Sequence, residues 1–193
     1  MQNIINGKNV DASDKSVLKI TNPYTGRLID TVPNATKKDV NRAVAYANKA
    51  QQKWAKVPVY QKAEILKRFL TLVEENRDDL AKTLCMETGK PISQAYGEID
   101  NIFISFEAFI EKAKHLYGNV IPAGTEKGQD NTLQFTVREP LGVMVAIIPF
   151  NFPCDLFDQK VAPAILAGNA VIIKPPHQNP LTLIKLVGLL HEA

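Results

Sequence analysis

The residues best able to do chemistry fall in PFNFPCD, residues 149–155, which places an amide (Asn151), a thiol (Cys154) and a carboxylate (Asp155) within five positions. A side-chain amide can donate to an oxygen that acquires negative charge, and a thiolate can attack a carbonyl carbon. Cys154 sits near the start of an amphipathic segment, and a helix N-terminus lowers a thiol pKa. Asp155 beside it opposes thiolate formation, and no histidine is close in sequence. Cys154 is therefore expected to pack rather than react, as is Cys85, which lies in an apolar helical stripe. Asp155 reads as a charge at the positive end of a helix dipole. Asn151 is open to two uses, as a donor to a ligand or as a polar cap for a helix beginning at Pro153. A second group, KPPHQNP (residues 174–180), offers Lys174 and His177.

These residues need elements to position them. LGVMVAII (residues 141–148) is apolar on alternate positions and between them, as a strand buried on both faces of a parallel sheet must be. FPCDLFDQKVAPAILAG then reads as a helix, NAVIIKP as a second buried strand, and PLTLIKLVGLLHEA as a helix entering at Pro180. Strand, helix, strand, helix is the beginning of a right-handed parallel βαβ unit. In such a sheet ligands sit beyond the carboxyl ends of the strands, where both chemical segments fall, so neighbouring strands would bring Asn151 and Lys174 to one edge.

Upstream, IINGKNV (residues 4–10) has hairpin spacing, and LKITNPYTGRLIDTV alternates on both sides of an NPYTG turn, so antiparallel strands are expected. Thr36 and Asp39 form a capping-box pattern, followed by an apolar stripe of Val40, Ala43, Val44 and Ala47 expected to be buried. Leu66, Phe69, Leu70 and Val73 mark a helix after Pro58. A third helix runs toward Gly89, suited to a left-handed cap. Pro91 opens a long fourth helix with Ile99, Ile102, Phe103, Phe106 and Ile110 on its buried face. This helical half shows no chemical constellation of its own. GNVIPAGTEKGQDN breaks the helical pattern, and TLQFTVREP (residues 132–140) alternates as a strand with one wet face.

The 193 residues are 45% hydrophobic and 22% charged, with 23 basic and 20 acidic side chains giving a net charge of +3. The charges are interspersed, which disfavours nucleic acid and anionic membrane surfaces as partners. No apolar run approaches the ~18 residues of a membrane span, and the first residues lack a secretory pattern, so a cytoplasmic location is expected. Two distant cysteines and three scattered histidines form neither a disulfide framework nor a zinc signature.

VREPLGVMVAIIPFNFP and KVAPAILAGNAVIIKPPHQNPLT resemble the N-terminal part of the NAD(P)-dependent aldehyde dehydrogenase superfamily, and TNPYTGRLI, a helix with Trp54, and ETGKPISQAYGE (residues 87–98) match it in order. The resemblance spans essentially the whole chain. It implies an α/β fold: an N-terminal helical layer plus the first βαβ units of a Rossmann-like cofactor-binding domain, with part of a β oligomerisation arm. Residues 1–121 would be the hairpins and helices of the cofactor-binding domain, 122–140 part of the arm, and 141–193 the start of the parallel sheet, with the catalytic domain absent. By the same resemblance Asn151 is the catalytic oxyanion donor, Lys174 binds the adenosine ribose or a 2′-phosphate, and the backbone of Ile148, Pro149 and Phe150 lies along the cofactor. Phe150 stands where tryptophan is common. His177 replaces a glutamate that many NAD-using members carry; without that carboxylate a 2′-phosphate is not repelled, so the cofactor is NADP or NAD with a lean to NADP. The family has an apolar residue at position 154, and its nucleophilic cysteine and glutamate base come far downstream, beyond HEA. The chain is thus expected to be the N-terminal portion of an enzyme oxidising an aldehyde to a carboxylic acid, inactive alone, and a homo-oligomer when whole. The motif tally leans toward lactaldehyde, succinate-semialdehyde or non-phosphorylating glyceraldehyde-phosphate dehydrogenases. A different class of function is a non-catalytic module that binds nucleotide or a partner subunit. A generic dinucleotide-binding dehydrogenase is disfavoured, because no G-x-G-x-x-G follows the first buried strand.

Overall fold

The chain opens with two hairpins. In the computed structural model, which describes residues 1–193, β1 (Asn3–Ile5) pairs antiparallel with β2 (Lys8–Val10), and β3 (Val17–Thr21) with β4 (Leu28–Pro33). The first hairpin turns through Asn6 and Gly7, both at positive φ, which is the backbone a two-residue hairpin of right-handed twist demands. Helix α1 (Lys37–Trp54) starts at the expected capping box: Asp39 N–H donates to Thr36 Oγ1 while Asp39 accepts from Thr36 N–H. Asp39 also accepts from Ser13 N–H at 3.0 Å, tying the preceding loop to the helix.

Three further helices follow, α2 (Val59–Glu75), α3 (Arg77–Thr88) and α4 (Ile92–Ala113). Gly89 ends α3 in the left-handed conformation at φ 74, as its position suggests. The stripes of α2 and α4 meet in the core. Phe69 and Phe106 lie 5.0 Å apart between ring centres, and Phe157 continues the stack at 6.5 Å from Phe106. After a short antiparallel pair, β5 (Val120–Ile121) with β6 (Gln134–Phe135), comes the parallel unit: β7 (Val143–Ile147), α5 (Pro153–Leu166), β8 (Ala170–Lys174) and α6 (Leu181–Glu192). Helix α4 packs along α5, α3 and α2, and α1 crosses β8 and β7. A small second core of Ile20, Val32 and Leu181 seats the β3–β4 hairpin on the start of α6. No helix is long and apolar enough to cross a membrane.

Three sequence expectations are corrected. Strand β7 is not buried on both faces: Ala146 and Ile148 are buried, but Val145 and Ile147 are 58% and 64% exposed, because no layer covers that face of the two-stranded parallel sheet. The stripe of α1 is not a core face either. Val40 is 50% exposed, and with Ala43 and Ala47 it walls an open cleft, since no strand lies on the outer edge of β8. The TLQFTVREP strand shrinks to the two residues of β6. Leu133, Phe135 and Val137 stay exposed, as they must where a ladder has one short neighbour and no layer behind it.

Candidate active site

The register of the parallel pair builds the site. Ile147 lies opposite Lys174, and the Ile148 N–H donates to the Lys174 carbonyl at 3.1 Å, so the two strands end level. The segments that follow, 149–152 and 175–180, therefore leave from the same sheet edge. Asn151, Pro149, Phe150, Lys174 and His177 are exposed there. Ile148 differs: its side chain is 2% exposed and its N–H is spent in the ladder, leaving only its carbonyl to face a ligand.

Asn151 does not cap α5. The N-cap position is Phe152, which supplies no side-chain acceptor, and the Asn151 amide makes no hydrogen bond within the chain. Pro153 has no N–H, so Cys154 presents the first donor of the helix, and that donor reaches Glu98 Oε1 on α4 at 2.8 Å. Glu98 is 3% exposed and is paired with Lys90, whose ammonium also lies 4.9 Å from the centre of the Phe152 ring. Burial raises the Glu98 pKa, against the opposing pull of Lys90 and the Cys154 N–H. On the other side of the loop, Asn179 Nδ2 donates to the Phe150 carbonyl at 2.8 Å. The loop carrying Asn179 is itself anchored by Glu87 at the end of α3, which accepts from Leu181 N–H at 2.6 Å, Thr182 N–H at 2.9 Å and Thr182 Oγ1 at 2.5 Å. Burial pushes the Glu87 pKa up to about 7, although those three donors favour its anion.

The helical half, which reads as chemically silent in sequence, thus supplies Glu87, Lys90 and Glu98 to the floor of the site, and Asn179 joins them from the second loop. A signal for two of them was present. Glu98 falls between Ala95 and Ile102 on the buried stripe of α4, and Glu87 falls three residues after Leu84 on that of α3; a carboxylate on such a stripe must find donors.

Cys154 is fully buried, and burial together with the Glu98 and Glu87 carboxylates raises its pKa well above that of a free thiol. The favourable helix N-terminus does not outweigh this, so the neutral thiol is a packing group. Cys85 is half-buried on α3, packed against the main core. A cleft of about 390 Å³ runs along β8 between α1, β1 and α6 and ends at Lys174 and Pro175; its walls are mostly apolar and do not include Asn151. The candidate site is therefore a free amide in the loop after β7 and an unpaired cation at the level end of β8.

The chain can be compared with known proteins on this geometry. Residues 10–193 match the model of the aldehyde dehydrogenase family. Glutarate-semialdehyde dehydrogenase of Pseudomonas putida is 38% identical over 192 residues, which is all of this chain and 39% of that protein. Escherichia coli succinate-semialdehyde dehydrogenase, whose name specifies NADP(+), is 34% identical over 97% of this chain and 38% of its own length. The structure of NADP-dependent glyceraldehyde-3-phosphate dehydrogenase from Bacillus halodurans, complexed with NADP, superimposes with a TM-score of 0.94 at 30% identity, covering 98% of this chain and 40% of that one. The chain spans about two fifths of the length of these relatives. With a family model matched over nearly all of its residues and a common fold to go with it, this chain belongs to the aldehyde dehydrogenase family.

Proposed function

We propose that these residues form the oxyanion-binding and cofactor-binding portion of an NAD(P)-dependent aldehyde dehydrogenase, which oxidises an aldehyde to a carboxylic acid through a cysteine thioester whose sulfur lies outside this chain. The observation that carries the proposal is the free amide of Asn151. It sits at the carboxyl end of a parallel strand, spent on no helix cap, because Glu98 takes that role. When a thiolate adds to an aldehyde carbonyl, the oxygen becomes an alkoxide, and a donor already in place stabilises it without reorganising. Asn151 is the donor this chain offers.

The sheet edge fits a nicotinamide dinucleotide by its donor set. Lys174 is exposed and makes no ion pair, His177 is exposed three residues on, and KPPHQNP contains no carboxylate to repel a phosphate. Lys174 would bind the ribose hydroxyls or the 2′-phosphate, and exposed Phe150 would supply an apolar wall. When bound, the cofactor accepts the hydride released from the aldehyde carbon. The lean toward NADP is supported by the two relatives above whose names carry it. A small semialdehyde or hydroxyaldehyde is the substrate class favoured by the motifs and by the relatives' names. Residues 1–121 and 141–193 would belong to the cofactor-binding domain, and residues 122–140 to an arm whose exposed Leu133, Phe135 and Val137 meet a second copy of the chain.

The test is Asn151→Ala in the full-length polypeptide. The expected result is a fall in kcat of about 10²–10³-fold with the cofactor Kd unchanged. A loss of less than about fivefold would remove Asn151 from the oxyanion role.

A further inference from the structure

The loop that carries Asn151 is held at both ends by buried side chains from distant parts of the chain. Asn179 Nδ2 takes the Phe150 carbonyl at 2.8 Å on one side, and Glu98 Oε1 takes the Cys154 N–H at 2.8 Å on the other. Only Asn151, Phe152 and Pro153 lie between the two anchored residues. A serine or aspartate at position 152 would cap α5 locally. Instead the acceptor comes from 56 residues upstream and brings a buried ion pair with it.

Fold stability gives little reason for this arrangement. Asn179 is 2% exposed and its Oδ1 is buried without a partner, while Glu98 and Lys90 must both be desolvated to meet. Buried pairs of that kind are weak net contributors to stability, and an unsatisfied buried acceptor opposes it. What the arrangement does achieve is geometric. Two rigid bodies, the α4 helix and the loop after β8, clamp the three-residue link from which the amide projects.

We infer that Asn179 and Glu98 are positioning residues for Asn151, presetting its amide toward the oxygen on which charge develops; the inference rests on the oxyanion reading of Asn151. A preset donor is worth more than a mobile one, and a misplacement of ~1 Å at such a centre can lower the rate about 100-fold. The positioning acts on the chemical step through the backbone of residues 150 and 154, and neither residue hydrogen-bonds Lys174.

The experiment is a pair of double-mutant cycles in the full-length polypeptide, with kcat, aldehyde KM and cofactor Kd measured for each variant. Asn179→Asp exchanges the donor for an oxygen at constant size. Glu98→Ala removes the acceptor, and Glu98→Gln restores one without the charge. The expected losses in kcat are about 10–100-fold for Asn179→Asp and Glu98→Ala, with aldehyde KM within about twofold and most of the loss recovered in Glu98→Gln; cofactor Kd stays within about twofold for Glu98→Ala and for the uncharged Asn179→Ser, which places no carboxylate in the loop after β8. In an Asn151→Ala background the same substitutions should lower kcat by less than about threefold further, because the group they position is gone. If Asn151→Ala is itself severely impaired but the further losses remain at full size, the positioning inference is overturned while the oxyanion reading stands. If Asn151→Ala is nearly unimpaired, the oxyanion reading fails and the inference falls with it. Should Asn179→Asp not fold, Asn179→Ser withdraws the long donor without adding charge, and the same non-additivity is required of it.

Discussion

Replacing Asp158 by asparagine probes the electrostatics of the contact between α4 and α5. Asp158 is on α5 and 0% exposed, and neither of its carboxylate oxygens has a donor in full hydrogen-bond geometry, the Ser105 hydroxyl of α4 and the Gln159 N–H being near but not aligned. Burial, reinforced by the neighbouring Asp155 and Glu98 carboxylates and only partly opposed by the Ser105 hydroxyl and the Gln159 N–H, pushes its pKa from 3.8 up to about 7. Between those values the folded chain holds a proton that the unfolded chain has released, so stability falls as pH rises through the window. Each tenfold difference in proton affinity corresponds to ~1.4 kcal/mol, which makes the full swing roughly 4 kcal/mol. Asparagine keeps the shape and cannot ionise. In urea unfolding, the stability of Asp158→Asn minus that of the wild type should be small near about pH 4 and grow to roughly 4 kcal/mol near about pH 8, a midpoint shift of ~2 M for a chain of this size. Glu87, with a pKa also raised to about 7, weakens both proteins over the same range and cancels in the difference. A difference that does not change with pH, or that favours the wild type at high pH, would refute the placement of Asp158 as a buried carboxyl whose anion is under-compensated.

Two other outcomes follow from the site. In the native protein a thiol reagent at pH 8 should modify Cys85, which is half-buried, well before Cys154, which should react only after unfolding; early labelling of Cys154 would contradict its burial and raised pKa. In the full-length polypeptide, His177→Glu should shift the ratio of kcat/KM for NADP over NAD toward NAD by about tenfold, through repulsion of the 2′-phosphate, and steady-state kinetics with both cofactors will show it. An unchanged ratio removes His177 from the cofactor edge.

Much of this molecule was legible in its residue order because the signals were local. The capping box at Thr36 and Asp39, the Gly89 terminus of α3, the apolar stripes of α2 and α4, and the hairpin spacing of residues 4–10 each act through neighbours within a few positions. The strand-helix-strand pattern and the PFNFP and KPPHQNP segments were enough to place Asn151 and Lys174 at one sheet edge, since parallel neighbours end on the same side. Tertiary structure decided what those residues are free to do. Sequence left Asn151 open to two uses, as a helix cap and as a ligand donor; the Glu98 carboxylate, from 56 residues away, takes the Cys154 N–H, so the cap use is not made and the amide has no partner within the chain. Likewise the thiol of Cys154 is silenced by burial among carboxylates that come from α3 and α4. Burial itself depends on which layers are present, which is why Val145, Ile147 and Val40 are exposed although their local patterns suit a core. Hydrophobic periodicity specifies the face of an element; only the packed partner, set by long-range contacts, specifies whether that face is covered and which polar groups are left for chemistry.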